Sequence, residues 1–216
     1  MFLELGLPSA AYVVVELMGH YFIALVAGSV GTSDVVALRI VEGPLWPVLV
    51  FTMAVLESVA ARASVLVAEG RASVGHELMV VARNLAWLGT GSLFLLACVL
   101  PASVLAYPFY DECPQQDCKH AVELARVITI ISSVSLAVDA VRIADQLFLR
   151  TMFETSEPLI AQAVTTTAGM ALGWVAASPD LLNLGTVGAV VARGVGALAG
   201  ALWMRLVLNR ALDLRS

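Results

Sequence analysis

Long apolar runs separated by short polar stretches dominate this chain. A helix needs about 20 mostly apolar residues to cross the hydrocarbon core of a bilayer. The pattern predicts six spans, at about 6–29, 39–67, 79–106, 121–149, 159–179 and 184–207. The clearest uncharged runs are 84–110 and 158–179. The second and fourth segments are long enough to tilt, kink or project beyond the membrane. Backbone polar groups in lipid must be bonded internally, so helices are expected rather than strands. The expectation is an all-α, polytopic protein: one transmembrane domain over 1–216 forming a six-helix bundle. The first helix is expected to open near Pro8, where a missing N–H costs little. Met1-Phe2-Leu3-Glu4 offers no basic leader region, so that helix reads as a true span and not a signal peptide.

Composition strengthens this picture. Of the 216 residues, 60% are apolar and only 13% charged, against about 45–50% and 25% in ordinary globular domains. A soluble enzyme of ordinary type and a disordered chain are both excluded. The formal charge is −5, a single Lys is present, and no basic stripe forms, so nucleic acid is not an expected partner. Lys and Arg favour the cytoplasmic side of a membrane protein. Arg71, Arg83, Arg150, Arg205, Arg210 and Arg215 fall on one side of the six-span topology. Arg39, Lys119 and Arg126 fall on the other, with Asp111, Glu112, Asp117 and Glu123 among them. Both termini are therefore expected to be cytoplasmic, with lipid around the bundle and a prokaryotic cytoplasmic membrane as the location.

Charges inside the spans are the candidate chemistry. Glu16 and His20 are one turn apart on the first helix, Asp139, Arg142 and Asp145 are spaced three and three on the fourth, and Arg193 is on the sixth. A charge at the bilayer centre costs about 2.5–3.5 kcal/mol on insertion scales, so such groups should face a protein interior and find partners. The spacing lets Asp139, Arg142 and Asp145 form a ladder, and Glu16 joins it if the first and fourth helices pack. Two readings follow: a cation or proton site centred on Glu16 and Asp139, with His20, Arg142 and Asp145 as modulators, or an ion-pair network that holds the bundle together. Glu57, Arg62 and Arg193 read as helix-end or assembly-interface groups, and Arg39 and Glu42 as membrane-edge groups. Gly169-x-x-x-Gly173 and Gly196-x-x-x-Gly200 predict close helix contact.

Cys113 and Cys118 lie close in sequence in an extracytoplasmic loop, and read either as a small disulfide or as two unpaired thiols. The His residues are scattered and no zinc-type Cys spacing occurs, so no metal site is expected. Nucleotide-binding loops, a His-Glu-x-x-His motif and a hydrolase elbow are also absent, so neither an enzyme, catalytic residues nor a cofactor is expected.

Several stretches resemble the C-terminal lobe of the multidrug and toxic compound extrusion (MATE) transporters, part of a wider superfamily that includes lipid-linked oligosaccharide flippases. Leu5-Gly-Leu-Pro-Ser-Ala-Ala-Tyr-Val-Val-Val-Glu16 resembles the opening of that lobe, with a Glu eight residues past the Pro. Gly28-Ser-Val-Gly-Thr-Ser-Asp-Val-Val-Ala-Leu38 is similar to its Gly-x-x-Gly-Thr turn. Ser64-Val-Leu-Val-Ala-Glu-Gly-Arg71 is a divergent form of a segment that usually ends in Val-Gly-Gln. In the fourth helix Asp139, Arg150, Glu154 and Pro158 fall in step with the family pattern, although the Gly after Arg150 is missing. Arg142 stands where the family commonly has Gln, and Asp145 where it has a small residue. The resemblance implies half of a MATE fold, with Glu16 and Asp139 in a site for H⁺ or Na⁺ coupled to export by antiport. It also implies a partner, because the family has two lobes and this chain supplies one. That partner is a second six-helix lobe, from another copy or another chain. The alternative is a non-transporting structural or assembly subunit of a larger membrane complex.

Overall fold

The computed structural model describes residues 2–100, 115–152 and 156–213, with side chains at 10–11, 13–100, 119–152 and 156–212. The described residues form six helices: α1 (Phe2–Val30), α2 (Thr32–Ala68), α3 (Ala72–Val99), α4 (Gln115–Thr151), α5 (Ser156–Ala177) and α6 (Gly185–Asp213). All six are long and apolar enough to cross a membrane, which fits an integral membrane protein. Cys113 lies outside the described residues, as does the side chain of Cys118.

Helix ends differ from the hydropathy boundaries for identifiable reasons. α1 begins at Phe2, so Pro8 sits within its opening turns instead of starting it. α2 begins at Thr32, directly after Gly31 and well before the expected 39. Asp34 in its first turn complements the helix dipole, and Pro44 and Pro47 are carried inside the helix. At 37 residues, α2 spans about 55 Å, far beyond a hydrocarbon core of about 30 Å. α3 stops at Val99 instead of reaching 106. Pro101 has no N–H to offer Ala97, and Leu100 is extended (ψ 141°), as a residue before Pro prefers. Arg126 of α4 takes over the orphaned carbonyls, donating from Nε to Ala97 O at 3.1 Å and from Nη2 to Cys98 O at 2.7 Å.

The turn between α2 and α3 depends on Gly70, whose φ of +76° is the left-handed conformation. It lets Gly70 N–H reach Val67 O at 3.0 Å and Arg71 N–H reach Leu66 O at 2.8 Å, closing the helix end. A Gly70→Ala change should therefore cost about 1 kcal/mol through backbone strain, since space around the site is open. Thermal unfolding in detergent should show a lowered midpoint with unchanged helix content.

α4 is the central helix, packed on α2, α3 and α6, while α5 pairs with α6 and α1 lies across α5, α6 and α2. Its two ends enter separate apolar clusters. One gathers Ile23, Ile40, Val41, Val122, Ile128 and Val190, the other Leu56, Met79, Ile143, Phe148, Met204 and Leu208. Between them α4 buries a polar stretch containing Thr129, Ser133, Asp139 and Arg142. The two hydroxyls bond back to Ala125 O and Thr129 O at 2.8 and 2.7 Å, which satisfies them within the helix. Asp139 and Arg142 must find partners on other helices.

The expected small-residue contacts join α5 to α6. Gly169 and Gly196 face each other so closely that a Cβ on Gly196 would lie 2.8 Å from Thr165 O and 3.3 Å from Gly169 Cα. A Cβ on Gly200 would lie 3.1 Å from Arg142 Cδ and 3.0 Å from Thr165 Oγ1. The bare glycines thus let α5 and α6 meet backbone to backbone and leave room for the Arg142 stem.

Candidate functional site

Glu16 is the midpoint residue of α1. Its carboxylate points into the bundle, to the polar stretch of α4. Arg142 Nη2 donates to Glu16 Oε2 at 2.9 Å, and Arg142 Nε donates to Asp139 Oδ1 at 2.8 Å. One guanidinium therefore bridges two carboxylates more than a hundred positions apart in sequence. Arg142 also donates through Nη1 to Gln162 Oε1 of α5, and Gln162 Nε2 donates to Glu16 Oε2 at 2.6 Å. A planar fork of fixed donors suits this bridging, which a lysine could not reproduce. The Arg142 side chain is 3% exposed.

Arg193 of α6 is held differently. Its Nη2 lies 3.4 Å from Glu16 Oε1 and 4.0 Å from Asp139 Oδ2. Its shorter contact is with His20 Nε2, at 2.9 Å. Arginine can only donate, so Nε2 accepts and the His20 proton is assigned to Nδ1. His20 also stacks on Trp46 of α2, with ring centroids 6.0 Å apart. The Arg193 guanidinium is a quarter exposed. It lines two small cavities of about 30 Å³ each, both of which Glu16 and Asp139 also line. Such a volume admits water or a small bare ion and nothing larger.

Among the described residues the two carboxylates are thus balanced by two guanidiniums, with neutral Gln162 and His20 beside them. The expected meeting of Glu16 and Asp139 occurs, and His20 and Arg142 join it. Asp145 does not. Each step of three residues falls about 60° short of a helical turn, so two steps carry Asp145 away from the Asp139 face. Its Oδ2 instead lies 3.1 Å from Arg205 Nε of α6, although the pair is not aligned as a hydrogen bond. His76 and Arg83 line the same small gap, and Arg83 also lies over the Trp87 ring at 5.2 Å. The ladder expected along α4 is therefore two rungs, Asp139 and Arg142, and Asp145 belongs to a separate ion pair nearer the helix ends.

One member of the cluster, Gln162, does not stand out in the sequence, and Arg193 stands out only as a charge inside the sixth span. Gln162 is a neutral amide in an apolar run, and its only signal was its place in an otherwise small and apolar helix start. Arg193 read as an assembly-interface group, yet Gly194 and Gly196 beside it place its backbone where the side chain turns inward. Glu57 and Arg62 stay on the outside of α2 and do not reach the cluster. Among the described residues no group of three His, Cys, Asp or Glu is placed to hold a metal ion.

The described residues form an all-helical fold with six membrane-length helices around a cluster in which two carboxylates meet two guanidiniums. No protein-family model, curated protein or solved structure matches the chain.

Proposed function

We propose that this chain is one lobe of a two-lobed membrane exporter, and that the Glu16–Asp139 cluster is where a coupling H⁺ or Na⁺ acts. The observation that carries the reading is the convergence of both carboxylates on Arg142, in a polar pocket away from the ends of α1 and α4. Intramembrane ionisable groups gathered in a bundle interior commonly mark ion or proton pathways. The resemblance to a MATE C-terminal lobe supports the same reading, and it assigns the missing half of the central cleft to a second lobe.

The geometry adds a mechanism. Two guanidiniums already balance the two carboxylates, so a coupling ion leaves excess positive charge unless it exchanges with one of them. Arg142 is bonded on three helices, α1, α4 and α5, and is the fixed charge. Arg193 is the exchangeable one, because its carboxylate contacts are long and it lines two small cavities. A proton or Na⁺ arriving at Glu16 Oε1 and Asp139 Oδ2 takes its place. The released α6 guanidinium then alters how α6 meets α1, and this is the local change that export would use.

The test is uptake of a fluorescent lipophilic cation, ethidium, into proteoliposomes under an imposed proton or sodium gradient. Gradient-dependent uptake is expected. Glu16→Gln should reduce the gradient-dependent part at least tenfold while the protein still elutes as a folded species. Absence of gradient-dependent flux, with the chain alone and with a co-expressed second lobe, would sink the proposal.

A second reading, the non-transporting assembly subunit, draws on one specific observation: the cluster is already neutral and hydrogen-bonded, with little free volume. It predicts stoichiometric co-purification with a larger membrane complex.

A further inference from the structure

The outer face of α2 carries a pattern that the ion cluster does not use. Phe51, Ala54, Ser58, Ala61, Val65 and Ala68 are all exposed, and they recur at alternating steps of three and four. Leu56, Ala60, Ala63 and Leu66, on the opposite side of the same helix, are buried in the bundle. The exposed series is the a/d stripe of a heptad pattern, here built mainly from small side chains. Its serine hides its own polarity, because Ser58 Oγ donates to Val55 O at 2.9 Å.

Two charges flank the stripe on opposite sides: Glu57 before Ser58, and Arg62 after Ala61. Both are exposed. They lie too far around the helix to pair with each other, and neither meets an opposite charge among the described residues. The uncharged run 43–56 is too short for a span of about 20 residues, so the hydrocarbon core must take in Glu42 or Glu57. With Arg39 and Glu42 at the membrane edge, a core of about 20 residues that begins after Glu42 takes in Glu57. An exposed carboxylate there calls for a protein partner.

Five residues is the spacing at which a g position on one helix meets an e position on a parallel neighbour. With Ser58 and Val65 as a positions and Ala54 and Ala61 as d positions, Glu57 is g and Arg62 is e. We infer that this face is a homodimer interface, in which α2 packs in parallel on α2 of a second copy and Glu57 pairs with Arg62 of the partner subunit. A two-fold axis along the membrane normal forms the pair twice and keeps both copies in the same orientation. The small a and d residues let the two backbones approach closely, and each outward charge is neutralised by its complement. The face is self-complementary, which is why a second copy is its occupant. The inference rests on the two-lobe reading only in naming the second lobe, and its test measures assembly, not transport.

The experiment is disulfide cross-linking in native membranes, in a chain whose Cys98, Cys113 and Cys118 are replaced by alanine. Ser58→Cys and Ala61→Cys should give cross-linked dimers, whereas Leu88→Cys, on the exposed side of α3 at 70%, should not. In the Ser58→Cys chain, Glu57→Arg or Arg62→Glu alone should weaken dimerisation about tenfold, and the two together should restore it. Equal cross-linking at Leu88→Cys, or a double reversal no better than either single one, overturns the interface. Absence of any homodimer cross-link also overturns it, yet leaves an exporter built with a different second lobe standing. A dimer that shows no gradient-dependent flux has the converse meaning.

Discussion

Arg142→Gln should destabilise the bundle by about 3–5 kcal/mol, the cost of leaving buried carboxylates without their countercharge. Arg142 is the shared partner of Glu16, Asp139 and Gln162. A glutamine can replace one of its hydrogen bonds and none of its charge. Among the described residues Arg193 is then the one guanidinium left to the cluster, and the three remaining charged groups carry a net −1. Removing one carboxylate as well should repair this. Asp139→Asn in the Arg142→Gln background leaves Glu16 facing Arg193 and should recover most of the lost stability. Unfolding in graded denaturing detergent, followed by retained helix content, measures both variants. Sodium added to Arg142→Gln supplies a further readout. If the vacated guanidinium position accepts a cation, Na⁺ should raise the midpoint in proportion to its binding, and potassium should do so less. A midpoint that ignores sodium, with stability lost as stated, marks Arg142 as a packing group and favours the assembly-subunit reading.

Gly196→Val is the second large effect, expected to cost about 2–3 kcal/mol. The new Cβ would lie 2.8 Å from the Thr165 carbonyl oxygen and 3.3 Å from Gly169 Cα. Both obstacles are backbone, so no side chain can turn aside and α5 must separate from α6. Gln162 and Arg193 lie three residues from Thr165 and Gly196, so the separation should also pull the ion cluster apart. Gly91→Val on α3 is the control, since nothing lies within 4 Å of its Cβ position, and it should stay within about 0.5 kcal/mol of the parent. Equal losses from the two would mean that α5 and α6 do not pack through Gly196.

The parts of this architecture legible in the sequence follow from its strongest physical constraint. The bilayer demands apolar length, so six helices could be counted from hydropathy alone. It also penalises isolated charge, so Glu16 and Asp139 could be expected to meet. Helix ends were less legible because hydropathy marks the hydrocarbon core, whereas α2 and α4 continue as helices past it. The early end of α3 required knowing that Arg126 would take the carbonyls near Pro101. Partner choice was the least legible. Asp139 and Asp145 look alike as a series on one helix, yet the rotation of α4 turns Asp139 and Arg142 together toward Glu16 and Gln162, and Asp145 toward Arg205. That rotation is set by packing with α2, α3 and α6, which no local pattern encodes. Gln162 was hidden for a related reason: an uncharged amide barely changes the hydropathy of α5, and its value appears only beside Glu16 and Arg142.

The ion cluster draws its members from α1, α4, α5 and α6, and this has a consequence for biosynthesis. A ribosome delivers α1 to the membrane before α4 and α6, so Glu16 arrives ahead of both Arg142 and Arg193. Chains cut short before α6 therefore hold an excess of buried negative charge and an unpaired glycine face on α5. Until Arg193 arrives, Glu16 and Asp139 share the one guanidinium of Arg142, an excess charge that hydrocarbon penalises. Truncation between α5 and α6 should therefore shorten the lifetime of the chain in the membrane, as pulse-chase labelling would measure.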